Sequence, residues 1–161
     1  MKLDTKSVEI LNRQLTNELT AINQYYVHAK MYQSWGLNAL YAHEYKESIE
    51  EMQHADKIME RVLLLEGLPN VQDMHKIMIG ENVPECLQSD LNLEIAARKD
   101  LVDGIAYFEE VRDYASRELF DELLVDTEEH IDYLETQLEL IEQIGLQNYL
   151  QSQMGGEPNK D

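Results

Sequence analysis

Five side chains of metal-ligand type, Glu18, Glu51, His54, Glu94 and His130, fall where the spacing of apolar residues calls for an interior. The stripe Leu11, Leu15, Glu18, Ile22, Tyr25, Ala29 advances in steps of three and four, the mark of one helix face turned to a core. A second stripe reads Glu44, Ser48, Glu51, Ala55, Ile58, Val62, Leu65, with His54 three residues after Glu51 and therefore beside it. Leu87, Leu91, Glu94, Arg98, Leu101, Ile105, Phe108 form a third, and Phe120, Leu123, Thr127, His130, Leu134, Leu138, Ile141 a fourth. Burying one unpaired carboxylate is costly, so acids at 18, 51 and 94 meeting in a dry interior require a positive ion there. Oxygen and imidazole donors without thiolate favour iron, manganese or zinc over a soft-metal site. A lone E-x-x-H pair in a chain with 32 acids arises by chance. Ligand-type residues in the middle of all four stripes do not.

Four long helices must carry these stripes. The spacing predicts helices over 7–35, 38–66, 84–114 and 116–144, with breaks at Gly36, at Gly67 before Pro69, and at Gly145. Pro84 suits the first turn of the third helix, and Ser116 is a cap for the fourth. A helix of about 28 residues is ~42 Å long at ~1.5 Å per residue, so the four lie side by side in an elongated bundle. Short joints make helices one and two, and three and four, antiparallel hairpins, while the long connection between two and three crosses the bundle. A short fifth helix is expected over 146–154, followed by a frayed tail, 155–161. The chain of 161 residues reads as one all-α domain.

Composition excludes several function classes. Thirteen Lys plus Arg against 32 Asp plus Glu give a net charge of −19, which repels nucleic acid and anionic membrane surfaces and favours cations as partners. Apolar runs stop at four residues, far short of the roughly 20 that span a bilayer. The absence of an apolar signal core and the single Cys86 point to a reduced, cytoplasmic setting. Met52 lies about 100° around its helix from Glu51, on a face with Tyr45, Ile49, Asp56 and Met59 that a dimer contact would cover. In a two-fold contact the same thioether arrives from both sides, a geometry in which two sulfurs can hold one haem iron.

The segments LNRQLTNELTAINQYYVHAKMYQSWG (11–36), ESIEEMQHADKIMERVLLLEGLPN (47–70), HIDYLETQ (130–137) and GLQNYLQSQ (145–153) resemble bacterioferritin, the haem-containing branch of the ferritins, over nearly the full chain. The resemblance implies a ferritin-like four-helix bundle and a hollow shell of 24 subunits that takes up iron, oxidises Fe(II) at intrasubunit di-iron centres (ferroxidase activity) and stores ferric mineral. Glu18, Glu51, His54, Glu94 and His130 match five of the family's six iron ligands, and Met52 matches the haem ligand shared by two subunits. At the sixth ligand position, where the family has a bridging Glu, this chain has Thr127. Three carboxylates then face two divalent cations, so the second iron is held less well. Asp126 is shorter and lies about 100° away, while Glu128 and Glu129 point further off. Lys46 stands where related chains often have a cavity-facing His, and Glu47 and Glu50 remain as iron relay groups on the inner surface. The expectation is an iron-storage subunit with slowed iron oxidation, assembled as a homo-oligomer or with a sister subunit whose ligands are complete, and reduced by a ferredoxin-type donor. The alternative is a non-enzymatic haem and electron-transfer subunit of a mixed shell.

Overall fold

The computed structural model describes residues 5–156. It consists of α1 (Thr5–Ser34), α2 (Asn38–Leu64), α3 (Val83–Glu110), α4 (Tyr114–Ile144) and α5 (Leu146–Gln153), with no strand among the described residues. Residues 157–161 of the expected tail lie outside them. No helix among the described residues is long and apolar enough to cross a membrane. This is the all-α bundle, with a long second connection and a short fifth helix, that the stripes require.

Helix ends follow from local chemistry. Gly36 and Gly145 take φ of 78° and 81°, a region that costs other residues strain, and they terminate α1 and α4. Asn82 caps α3 by accepting the Glu85 N–H, which leaves Pro84 in the first turn. The α3–α4 break differs from expectation: it falls at Val111–Asp113, not between Tyr114 and Ser116. Arg112 turns the chain at φ 61°, and Asp113, not Ser116, is the cap, its carboxylate accepting the Ser116 N–H at 3.1 Å. Arg61 fixes that cap through a 2.7 Å ion pair with Asp113.

α1 pairs with α2 and α3 with α4, the hairpins meet through α1–α3 and α2–α4 contacts, and α5 folds against α4 and α2. Gly104 lets α3 approach closely, because a Cβ there would stand 2.5 Å from the Phe120 ring. Apolar side chains form two clusters. One contains Leu11, Leu15, Ile58, Leu101, Phe108 and Phe120; the other contains Tyr32, Leu40, Leu87, Leu91, Leu134 and Tyr149. Each fully buried side chain of this kind contributes about 1.5–3 kcal/mol, so the clusters supply the stability that a charged layer between them consumes. The third stripe needs one correction: Arg98 faces solvent and pairs with Glu128 at 2.8 Å, and Ala97 takes the inner position.

A polar row on α1 holds the long connection. Asn12 accepts the Asn70 N–H at 2.9 Å, Thr20 that of His75 at 3.0 Å, Gln24 that of Met78 at 3.0 Å and His28 that of Gly80 at 3.1 Å. The crossing strand of backbone, which has no ladder partner, is satisfied this way.

Candidate metal centre

The bundle brings Glu18 of α1, Glu51 and His54 of α2, Glu94 of α3 and His130 of α4 into one buried layer, none more than 6% exposed. It has two halves. In the first, donor atoms of Glu18, Glu51 and His54 lie within 4.8 Å of one another, and His54 Nδ1 is 3.1 Å from Glu51 Oε2 and 3.6 Å from Glu18 Oε2. Gln14 donates to Glu18 Oε1 at 2.7 Å. In the second, Glu47, Glu51 and His130 converge within the same limit, and His130 Nδ1 is 2.9 Å from Glu94 Oε1 and 3.8 Å from Glu47 Oε2. The Tyr25 hydroxyl donates to that same Glu94 oxygen, and its ring meets His130 edge-on at 5.2 Å. Glu51 belongs to both halves.

Protons take up the charge of this layer. Burial, then repulsion from Glu18, Glu94 and Glu47, pushes the Glu51 carboxyl well above its ordinary range. Burial also opposes the charged form of Glu18, but hydrogen bonds with Glu51, His54 and Gln14 outweigh it and hold that carboxyl low. Burial works against a charged imidazole too, yet Glu18 and Asp126 raise His54 to about 9, and Glu94 and Glu47 raise His130 to about 8. Protons on the two histidines thus offset the buried carboxylates, and a divalent ion would displace them. Two imidazoles and several carboxylates form a donor set suited to iron, manganese or zinc.

The ferritin-like domain model of the ferritins matches residues 8–144. A bacterioferritin of Mycobacterium bovis is 46% identical over 149 residues, covering 92% of this chain and 94% of the relative. Bacterioferritins of Brucella melitensis and Streptomyces coelicolor are 46% and 45% identical, covering 92% and 93% of this chain and 92% and 90% of those proteins. The chain belongs to the bacterioferritin family. All the residues of the buried layer lie on the part of the chain matched to the ferritin-like domain.

Within this bacterioferritin bundle, Thr127 is 6% exposed and occupies the inner position of α4 one turn before His130. Asp126 does not take its place: its Oδ2 lies 2.8 Å from His54 Nε2, behind the ring and away from the centre. Glu47, expected on the inner surface, turns toward His130 and is only 15% exposed. The bundle leaves Glu50 outside the cluster, beside Lys46 at 3.8 Å. Met52 stands away from the metal layer, 53% exposed, on an apolar face with Ile49 at 40% and Tyr26 at 49%. Sequence spacing did not single out Tyr25, His28, His43, Glu44 or Asp90. Of these, Glu44 carried the clearest signal, an acid seven residues before Glu51 in the same stripe.

Proposed function

We propose that this chain is an iron-storage subunit that takes up Fe(II), its substrate and cargo, and oxidises it at the two-part centre. The observation that carries the reading is the convergence of five ligand-type side chains from four helices on one dry layer, with Glu51 common to both halves. Glu18 and His54 hold the first ion, Glu94 and His130 the second, and Glu51 lies between them. Asp126 orients His54 from behind, as the carboxylate partner of a metal-bound imidazole does. Iron supplies the electron, and an oxidant of the dioxygen class accepts it.

Thr127 makes the second position weaker, because a neutral hydroxyl stands where the resemblance implies a bridging carboxylate. Glu47 offsets part of that loss from 3.8 Å. The exposed Met52 face supports haem bound between Met52 thioethers of two-fold related copies, and the family resemblance implies a shell of 24 subunits in the cytoplasm with a ferredoxin-type donor. Thr127 also favours a second reading, a haem and electron-transfer subunit whose sister chain performs the oxidation.

Substituting Thr127→Glu and following the initial rate of Fe(II) oxidation in the purified homo-oligomer tests the first reading. A rise of at least about tenfold is expected, since a missing direct ligand costs at least as much as the ~10–100-fold of a lost outer partner. An unchanged rate would show that Thr127 does not limit the centre. An intense haem band with almost no oxidation in either protein would favour the second reading.

A further inference from the structure

Beyond the di-iron layer, toward the apolar cluster around Tyr32 and Leu134, a second group of ligand-type side chains converges. Donor atoms of His43, Glu44 and His130 lie within 4.8 Å of one another. Among the described residues, only seven buried side-chain polar atoms lack a hydrogen-bond partner. Three of them are His43 Nδ1, Glu44 Oε1 and His130 Nε2, one from each member of this group. Glu44 is 1% exposed and His130 3%, while the His43 side chain is 30% exposed but has its Nδ1 buried. Glu44 also hydrogen-bonds the Asp90 carboxyl, whereas His43 Nδ1 and His130 Nε2 have no partner, and two such nitrogens beside one carboxyl mark a missing ligand.

We propose that His43, Glu44 and the outer nitrogen of His130 form a third cation site for a divalent first-row ion, filled in alternation with the second position of the di-iron centre. The donor set is two imidazoles and one carboxylate, a combination that binds zinc and Fe(II) with open positions left over. The rings are within reach of a shared ion: two imidazoles at ~2.1 Å from it through one nitrogen each have centroids no more than about 6.5 Å apart. Those of His43 and His130 are 6.1 Å apart. His43 is held in place by stacking on Tyr133, with centroids 3.5 Å apart and planes 13° from parallel. Its Nε2 faces Glu47 Oε1 at 3.7 Å, which leaves Nδ1 for the ion.

Alternation rests on the reading of His130 as a di-iron ligand, and follows from its ring having one lone pair when neutral. With the Nδ1 proton shared with Glu94 at 2.9 Å, an ion at the third site displaces the Nε2 proton and takes its lone pair. With Nδ1 bound to the second ion, Nε2 carries the proton and the third site loses a donor. Thr127, by weakening the second position, shifts the balance toward the third.

Crystals of the full-length protein soaked with zinc, with anomalous maps collected at the zinc edge, test this directly. The native protein is expected to show a peak bonded to His43 Nδ1, Glu44 Oε1 and His130 Nε2. The peak should vanish in His43→Phe, which keeps the stacking on Tyr133, and in the isosteric Glu44→Gln, while the peak among Glu18, Glu51 and His54 persists. Thr127→Glu should lower the third-site occupancy at least about fivefold as the second position fills. A native pocket holding only water, or a peak that survives both variants, would overturn the site. Full simultaneous occupancy of both positions in Thr127→Glu would overturn the alternation. A filled third site with nothing at Glu18, Glu51 and His54 would instead sink the proposed di-iron function and leave this site standing.

Discussion

The two halves of the metal layer use the same kinds of side chain and differ in what stands behind them. In the first half both nitrogens of His54 are engaged, Nδ1 by Glu51 at 3.1 Å and Nε2 by Asp126 at 2.8 Å. Glu18 is held by Gln14, which accepts from Asn17 at 3.1 Å, and Asn17 donates in turn to Asp100 at 3.0 Å. In the second half His130 Nε2 has no partner, and the position one turn earlier is Thr127. A ligand braced from behind is preorganised for its ion, whereas one braced on a single side can turn to another. On the proposed reading of the layer as a di-iron centre, the difference predicts tight capture at the first position and exchange at the second.

Removing the residue that joins the halves should erase the contrast. In a Glu44→Gln background, which removes the proposed third site, Glu51→Ala is expected to reduce bound zinc from roughly two ions per subunit to near none, since losing a direct ligand exceeds the ~10–100-fold cost of losing an outer partner. Elemental analysis after gel filtration measures this. Retention of one tightly held ion would mean that Glu51 is not shared.

Asp126→Asn sharpens the contrast by loosening only the braced half. The first ion should bind about 10–100-fold more weakly, while affinity at the second position changes little. Competition titration with a chromophoric chelator reads both constants. Glu128→Gln, which removes a surface partner of Arg98, should leave both unchanged. Equal weakening of the two positions by Asp126→Asn would contradict the division into halves.

The bundle and most of the centre were legible because both express one periodicity. An acid or histidine inside an apolar stripe stays visible in the sequence, which is why Glu18, Glu51, Glu94 and His130 stood out on their helices and His54 beside its neighbour. What spacing could not deliver depends on pairings between helices. Asp126 lies off the core stripe and acquires its role only when α4 sets it against His54 on α2. Asp90 is buried because His28 and Gln24 of α1 bond it at 2.9 and 2.8 Å, contacts more than 60 residues apart in the chain. Tyr25 reads as an ordinary core aromatic until its hydroxyl is found on Glu94. The α3–α4 break was misplaced for a related reason: Arg112 adopts a left-handed φ without a glycine to announce it.

The smallest expected effect is on the pH dependence of the metal-free protein, and it again separates the halves. His54 at about 9 and His130 at about 8 bind their protons more tightly in the fold than in the unfolded chain, where an imidazole titrates near ~6.5. Their contribution to stability is therefore complete below about pH 6.5. It is lost as pH rises through 8 for the second half and 9 for the first. The raised Glu51 carboxyl acts with the same sign, since the fold retains a proton that the unfolded chain gives up above its ordinary 4.5. Melting temperature by calorimetry should thus fall by a few degrees between pH 7 and 9.5 without metal, the scale of about 1 kcal/mol in a domain of this size. His130→Gln should remove the earlier part of the fall and His54→Gln only a share of the later part, because His28, raised to about 9 by Asp90 against the effect of burial, gives up its proton over the same range. Zinc should flatten both, because an ion in place of the protons leaves no proton to lose. A metal-free melting temperature that rises over this window would show that the layer is not held by protonated imidazoles, and with that the electrostatic distinction between the halves would disappear.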